Sequence, residues 1–242
     1  MRTGKLALLA VIGWWCYCAA YAADTSSAGQ ALRVSSSSSP AETLLNGSGS
    51  AWSQIPAKRI SLNRTPPLFD TDEPATLEIS TADVRVARAG GKLLVQLSWH
   101  DVTHDAATLP QVPNTPPETR FRKVQTEADD RFFDAAAVMF PSKNGSGAIT
   151  PSLQMGDAGH PVEIYYWNAA RGAMVMEAQG RGTTKRTGQS FPANASYQNG
   201  QYSVTFELPD LPAGTPVAFA VWNGSQKDRD GRKYFSVWQV LE

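Results

Sequence analysis

Few residues in this sequence could hold a metal or move electrons. The histidines are His100, His104 and His160, and both cysteines, Cys16 and Cys18, lie near the start of the chain. His100 and His104 are spaced H-x-x-x-H, which on a helix would turn both imidazoles to one face for a metal. Here the pair follows a strand pattern and enters a proline-rich loop, so it reads as exposed loop histidines. Asp129-Asp130-Arg131 could be a carboxylate pair but reads more simply as a solvated turn before a strand at Ala135–Phe140. No nucleophile elbow, phosphate loop or dinucleotide fingerprint occurs. The sequence does not read as a hydrolase.

The methionines and tryptophans say more. Met139, Met174 and Met176 sit in strand patterns and read as packing residues. Met155 instead lies among turn residues in Pro151-Ser152-Leu153-Gln154-Met155-Gly156-Asp157, where a thioether can project into a cavity. A thioether is soft and neutral, and as an axial haem ligand it favours ferrous iron. Loop packing is the plainer alternative. Trp52, Trp99, Trp167, Trp222 and Trp238 lie in or beside strand patterns. They suit a sandwich core, and equally the walls of a site for a flat cofactor or a sugar ring.

The elements that must position these groups are short strands. Leu93, Val95, Leu97 and Trp99 alternate with polar residues after the Gly90-Gly91 turn, which predicts a hairpin with Val84 and Val86. Tyr202, Val204, Phe206 and Leu208 mark a half-buried strand, and 217–222 is apolar on both faces, as a central strand would be. Further strands are expected at 162–167 and 234–240, and a long loop with four prolines at Thr103–Arg120. The fold class expected is all-β, a two-sheet antiparallel β-sandwich.

Residues 1–22 read as a signal peptide: Arg2 and Lys5, an apolar run from Leu6 to Trp15, and a small-x-small site ending at Ala22. That run is shorter than the roughly 20 residues needed to span a bilayer, so no span is expected in the mature form. Both cysteines leave with the leader, which excludes disulfides, thiolate metal sites and c-type haem attachment. Loss of Arg2 and Lys5 leaves about two more acidic than basic residues, so no nucleic acid is expected as partner. Residues 23–50 read as a flexible Ser/Gly-rich tether and 51–242 as the folded domain.

Three segments carry a family resemblance. Asp129-Asp130-Arg131 through Met139-Phe140-Pro141 is similar to a D-R-x-A-x-x-F-P stretch. Met155-Gly156-Asp157, followed by Pro161-Val162-Glu163-Ile164-Tyr165-Tyr166-Trp167-Asn168-Ala169, resembles an M-G…P-V-x-I-W-x-W-K-A block. Val217 to Gly224, then Gly231-Arg232-Lys233-Tyr234-Phe235-Ser236-Val237-Trp238, resembles A-F-A-V-W-D-G…G-R-K-x-x-S-x-W. Together they resemble the haem b-binding gamma subunits of periplasmic molybdoenzymes, the group of ethylbenzene and dimethylsulfide dehydrogenases and of chlorate and selenate reductases. Tyr165 and Asn168 depart from that pattern, which has Trp and Lys there.

The resemblance implies a periplasmic electron-transfer subunit with no reaction of its own, whose long loops form a haem pocket. It implies one non-covalent haem b, its iron held by Met155 and Lys233, with Trp167 and Trp222 beside the cofactor. His160 and Lys227 are alternative ligands. The implied partners are the iron–sulfur (beta) and molybdenum (alpha) subunits of a complex and a soluble cytochrome or similar carrier. Arg181, Lys185 and Arg186 could steer a docking partner, or form a solvated hairpin tip. A carbohydrate-binding module using Trp99 or Trp167 as a platform, or a sandwich that has lost its haem, would share the fold.

Overall fold

Side-chain alternation at period two decides which face each long strand buries. The computed structural model describes residues 30–47, 49–66, 77–106, 132–143, 145 and 149–242. The expected leader, the expected turn at Asp129-Asp130-Arg131 and most of the expected Thr103–Arg120 loop lie outside these residues. In chain order the first elements are β1 (Gln30–Leu32), β2 (Val34–Ser36), α1 (Ala41–Leu45), α2 (Gly49–Ser53), β3 (Lys58–Ser61) and β4 (Asn63–Arg64). Then come β5 (Thr81–Ala89), β6 (Lys92–His100), β7 (Ala135–Pro141), β8 (Val162–Asn168) and β9 (Gly172–Ala178). The last are β10 (Lys185–Arg186), β11 (Ala193–Gln198), β12 (Gln201–Leu208), β13 (Pro216–Trp222), a 3-10 turn at Gly224–Gln226, β14 (Tyr234–Phe235) and β15 (Gln239–Leu241).

Among the described residues these strands make two sheets. One runs β11-β12-β6-β5-β2, with β3 also on β5. The other runs β1-β15-β13-β7-β8-β9-β10, with β14 bridging β13 and β4. The sandwich is therefore all-β, as the alternation predicts. It is not wholly antiparallel: β1 pairs β15, and β2 pairs β5, in parallel.

The interior takes the large member of each alternation. Leu93, Val95, Leu97, Trp99, Tyr202, Val204 and Phe206 of the first sheet meet Val138, Phe140, Trp167, Phe219 and Val221 of the second. Asn199 and Gly200 both have φ near +50 to +75°, the geometry of a tight hairpin turn joining β11 to β12.

Two expectations need correction. Residues 30–47 are part of the fold rather than a tether: Leu32 and Leu44 are fully buried, and the Trp52 indole donates to Leu44 O at 2.8 Å. Parallel pairing of two three-residue strands supplies backbone partners that a Ser-rich composition does not announce. The segment 234–240 is two short strands, not one. It breaks at Ser236, whose N–H donates to Phe219 O and whose hydroxyl accepts from Phe219 N, both at 2.9 Å. No helix among the described residues is long and apolar enough to cross a membrane.

Candidate functional site

The second sheet is apolar on its outer face as well. There the residues are small: Ala135 and Ala137 of β7, and Ala218 and Ala220 of β13, pack with Ile164, Trp222 and Trp238. Alanines in register, Ala137 opposite Ala220, leave a flat floor with space above it. The loop 151–160 and the segment 229–238 lie over this floor and leave a partly open cavity of about 40 Å³.

Met155 and Lys233 meet at this cavity. Lys233 Nζ lies 3.5 Å from Met155 Sδ and 5.2 Å from the centre of the Trp222 ring. The two residues are 78 apart in sequence, and each is fixed by its own surroundings. Met155 has φ +72° and its carbonyl accepts from Gly180 N at 2.8 Å. Gly156 follows with φ +75°, and a Cβ there would fall 2.5 Å from His160 O, so the turn requires glycine. Trp238 Nε1 donates to Pro151 O at 3.0 Å and anchors the start of the loop.

Lys233 is held through its backbone by Thr65. Its N–H donates to Thr65 Oγ1 and its carbonyl accepts from Thr65 N, both at 2.9 Å. Upstream, the buried Arg64–Asp228 ion pair and Asn223, which caps the 3-10 turn by accepting from Ser225 N and Gln226 N, order the segment leading to it. Burial pushes the Lys233 ammonium down to about 8, with the Arg181 charge acting the same way. The neutral amine, the form able to bind a metal, is thereby brought near neutral pH.

The structure brings Met155, Lys233 and Trp222 together and leaves Trp167 out. Along β8, Val162 and Ile164 face the floor and Tyr166 meets Trp222 edge-on at 5.2 Å. Trp167 has the opposite parity and packs in the interior against Tyr202. It is therefore not a wall of this cavity. Tyr165 also faces the interior, beside Phe140 and Phe191, so its departure from the Trp of the resembling block does not alter the floor. Asn168 is spent on its own turn, accepting from Ala170 N and Arg171 N. Met139, expected in the core, lines the cavity instead. The alternation of small and large residues in β13, Ala218 and Ala220 between Val217, Phe219 and Val221, was the available signal for this second face.

The alternatives separate in space. His160 is bonded through Nδ1 to Asp157 at 2.8 Å, and Lys227 is exposed at a left-handed turn position. His104 stacks on Tyr197, and among the described residues no group of His, Cys, Asp and Glu could hold a metal ion. Trp99 and Trp167 are 1% and 9% exposed, so neither can be a sugar-stacking platform.

The donor set fits a tetrapyrrole iron: a flat apolar floor, a soft thioether and an amine biased toward neutrality face one space. Comparison with known proteins points the same way. Residues 49–191 match the family model described as ethylbenzene dehydrogenase. The chain is 30% identical over 200 residues to a protein of Haloferax mediterranei named as a respiratory nitrate reductase heme subunit, covering 78% of this chain and 64% of that one. It is 28% identical over 211 residues to the dimethylsulfide dehydrogenase subunit gamma of Rhodovulum sulfidophilum, covering 77% and 70%. It is 27% identical over 205 residues to the chlorate reductase subunit gamma of Ideonella dechloratans, covering 78% and 76%. The chain thus spans a little under two thirds of the Haloferax relative's length.

Proposed function

Because the chain belongs to the ethylbenzene dehydrogenase family, we propose that it is an exported electron-transfer subunit carrying one non-covalent haem b, with Met155 and Lys233 as axial ligands. The observation that carries this reading is the approach of Lys233 Nζ to Met155 Sδ above an apolar sheet face. When bound, the haem would supply a one-electron iron couple, tuned by its axial ligands and by burial.

The chain's own residues do the remainder. Met155 presents a neutral, polarisable donor from a turn that Gly156 holds in shape. Lys233 gives up a proton more readily than an exposed lysine and offers a lone pair. Ala137, Ala218 and Ala220 admit a flat ring system, while Leu153 and Phe235 keep water from it. The leader at 1–22 supports a periplasmic location. The relatives' names, subunits of reductases and a dehydrogenase, support assembly with partner subunits. In this reading those partners are iron–sulfur and molybdenum subunits, with a soluble cytochrome or similar carrier completing the exchange. No reaction is assigned to the chain itself.

The test is an absorption spectrum of the purified protein, oxidised and then reduced with dithionite. Haem b gives a Soret band and sharp reduced α and β bands, and the pigment extracts into acidified organic solvent. Met155→Ala and Lys233→Ala are each expected to broaden or abolish the reduced bands. Haem-replete wild type without a Soret band would end this reading. Unchanged bands in both variants would end the ligand assignment alone.

A further inference from the structure

The apolar floor has a charged end. By register, one row on the outer face runs Ala218, Met139, Ile164, Met176 and Arg186 across β13, β7, β8, β9 and β10. Residues directly opposite one another in paired strands share a face. Arg186 therefore closes a row that is otherwise apolar, on the same side of the sheet as the cavity. Arg181 stands in the turn leading into β10, and its charge reaches the Lys233 amine. Lys185, between them, has the opposite parity and pairs with Glu177 at 3.7 Å. Both arginines are exposed at the rim.

The cavity itself offers nothing to an anion. Among the described residues lining it, the side chains with polar hydrogens are those of Trp222, Lys233 and Ser236. The Trp222 indole N–H donates to Asp230 O at 3.2 Å, Ser236 is engaged with the backbone of Phe219, and Lys233 faces Met155. A flat ligand bearing carboxylates would have to send them outward, and a guanidinium can receive a carboxylate through two parallel hydrogen bonds.

We propose that Arg181 and Arg186 bind the carboxylate side chains of the tetrapyrrole and so fix which edge of the ring faces β10. The proposal rests on the haem reading above. It gives this basic loop a role toward the ligand rather than toward a docking protein.

The experiment is a Soret titration of the full chain with ferric protoporphyrin IX and, separately, with its dimethyl ester, in wild type, R181A/R186A and R181K/R186K. Wild type is expected to prefer the free acid by about tenfold, the sum of two rim ion pairs. The preference should fall below about twofold in R181A/R186A and return in part in R181K/R186K, which keeps the charge but not the fork. The thermal midpoint of R181A/R186A should match wild type, because both side chains are exposed. A preference undiminished in R181A/R186A, or absent from wild type, overturns the assignment while leaving the haem reading intact. If neither form yields a Soret band, the haem reading fails and takes this one with it.

Discussion

Met155 and Gly156 share left-handed backbone, and only the second pays nothing for it. At Gly156 the difficulty is steric as well as conformational, since a Cβ would strike His160 O. Gly156→Ala is therefore expected to destabilise the fold by about 1–3 kcal/mol and to misplace the Met155 thioether. Urea unfolding should show the first effect, and weaker reduced α and β bands the second. At Lys233 the relevant variable is the proton. Its depressed value of about 8 means that the ammonium form prevails below that pH, where a proton would compete with the proposed haem iron for one lone pair. Spectral titration should show lysine ligation lost as pH falls, with a midpoint below 8 because bound iron resists protonation. Lys233→Met should remove that pH dependence.

At the scale of elements, the outer face of the first sheet is closed by α1 and α2. Leu44, Trp52 and Ile55 pack there on Ala87, Ala89 and Leu94. Leu44→Ala is expected to cost about 2–5 kcal/mol, read as a lower urea midpoint. It should leave the haem spectrum of the folded protein unchanged, since the cavity lies beyond the other sheet. The sequence announced neither helix, because five-residue helices carry no periodicity and depend on the surface they cover. By contrast, β12 was readable residue by residue, since Tyr202, Val204, Phe206 and Leu208 all bury against one interior. In β13 the apolar character of both faces pointed correctly to a central strand. What it concealed was that the small alternate residues, Ala218 and Ala220, face a cavity. The proposed ligand pair was legible only through the family resemblance, because a methionine and a lysine 78 residues apart have no spacing to read. Trp167 was misplaced where strand parity, counted from Ile164, would have turned it inward.

Across the whole molecule, buried carboxylates stitch the two sheets at one end. Asp134, just before β7, accepts from Tyr202 OH of β12 at 2.9 Å, from Asp105 N and from Gly224 N. Asp101 is also buried, and its Oδ2 has no hydrogen-bond partner among the described residues. Burial, reinforced by the Asp134 charge, raises the Asp101 carboxyl from 3.8 to about 6. The fold thus keeps a proton that the unfolded chain has already released. This contribution is fully present below pH 4 and is lost as pH rises through about 6, by roughly 1–3 kcal/mol. Stability of the haem-free protein should therefore decline across that window relative to Asp101→Asn, which has no proton to lose, and denaturant midpoints at pH 4 and pH 7 would measure the difference.

The parallel pairing of β1 with β15 has a consequence for how the protein is made. Gln30 waits for Gln239, so a chain emerging amino end first carries that strand unpaired through nearly all of its synthesis. Contacts of such long range form late, after the loop between them has been closed. Lys233 lies just ahead of β14 and arrives in the same final stretch. On the proposed haem reading, a polypeptide halted before residue 233 would display an alanine floor without the proposed lysine ligand, so loading of the cofactor is expected only after the chain is complete.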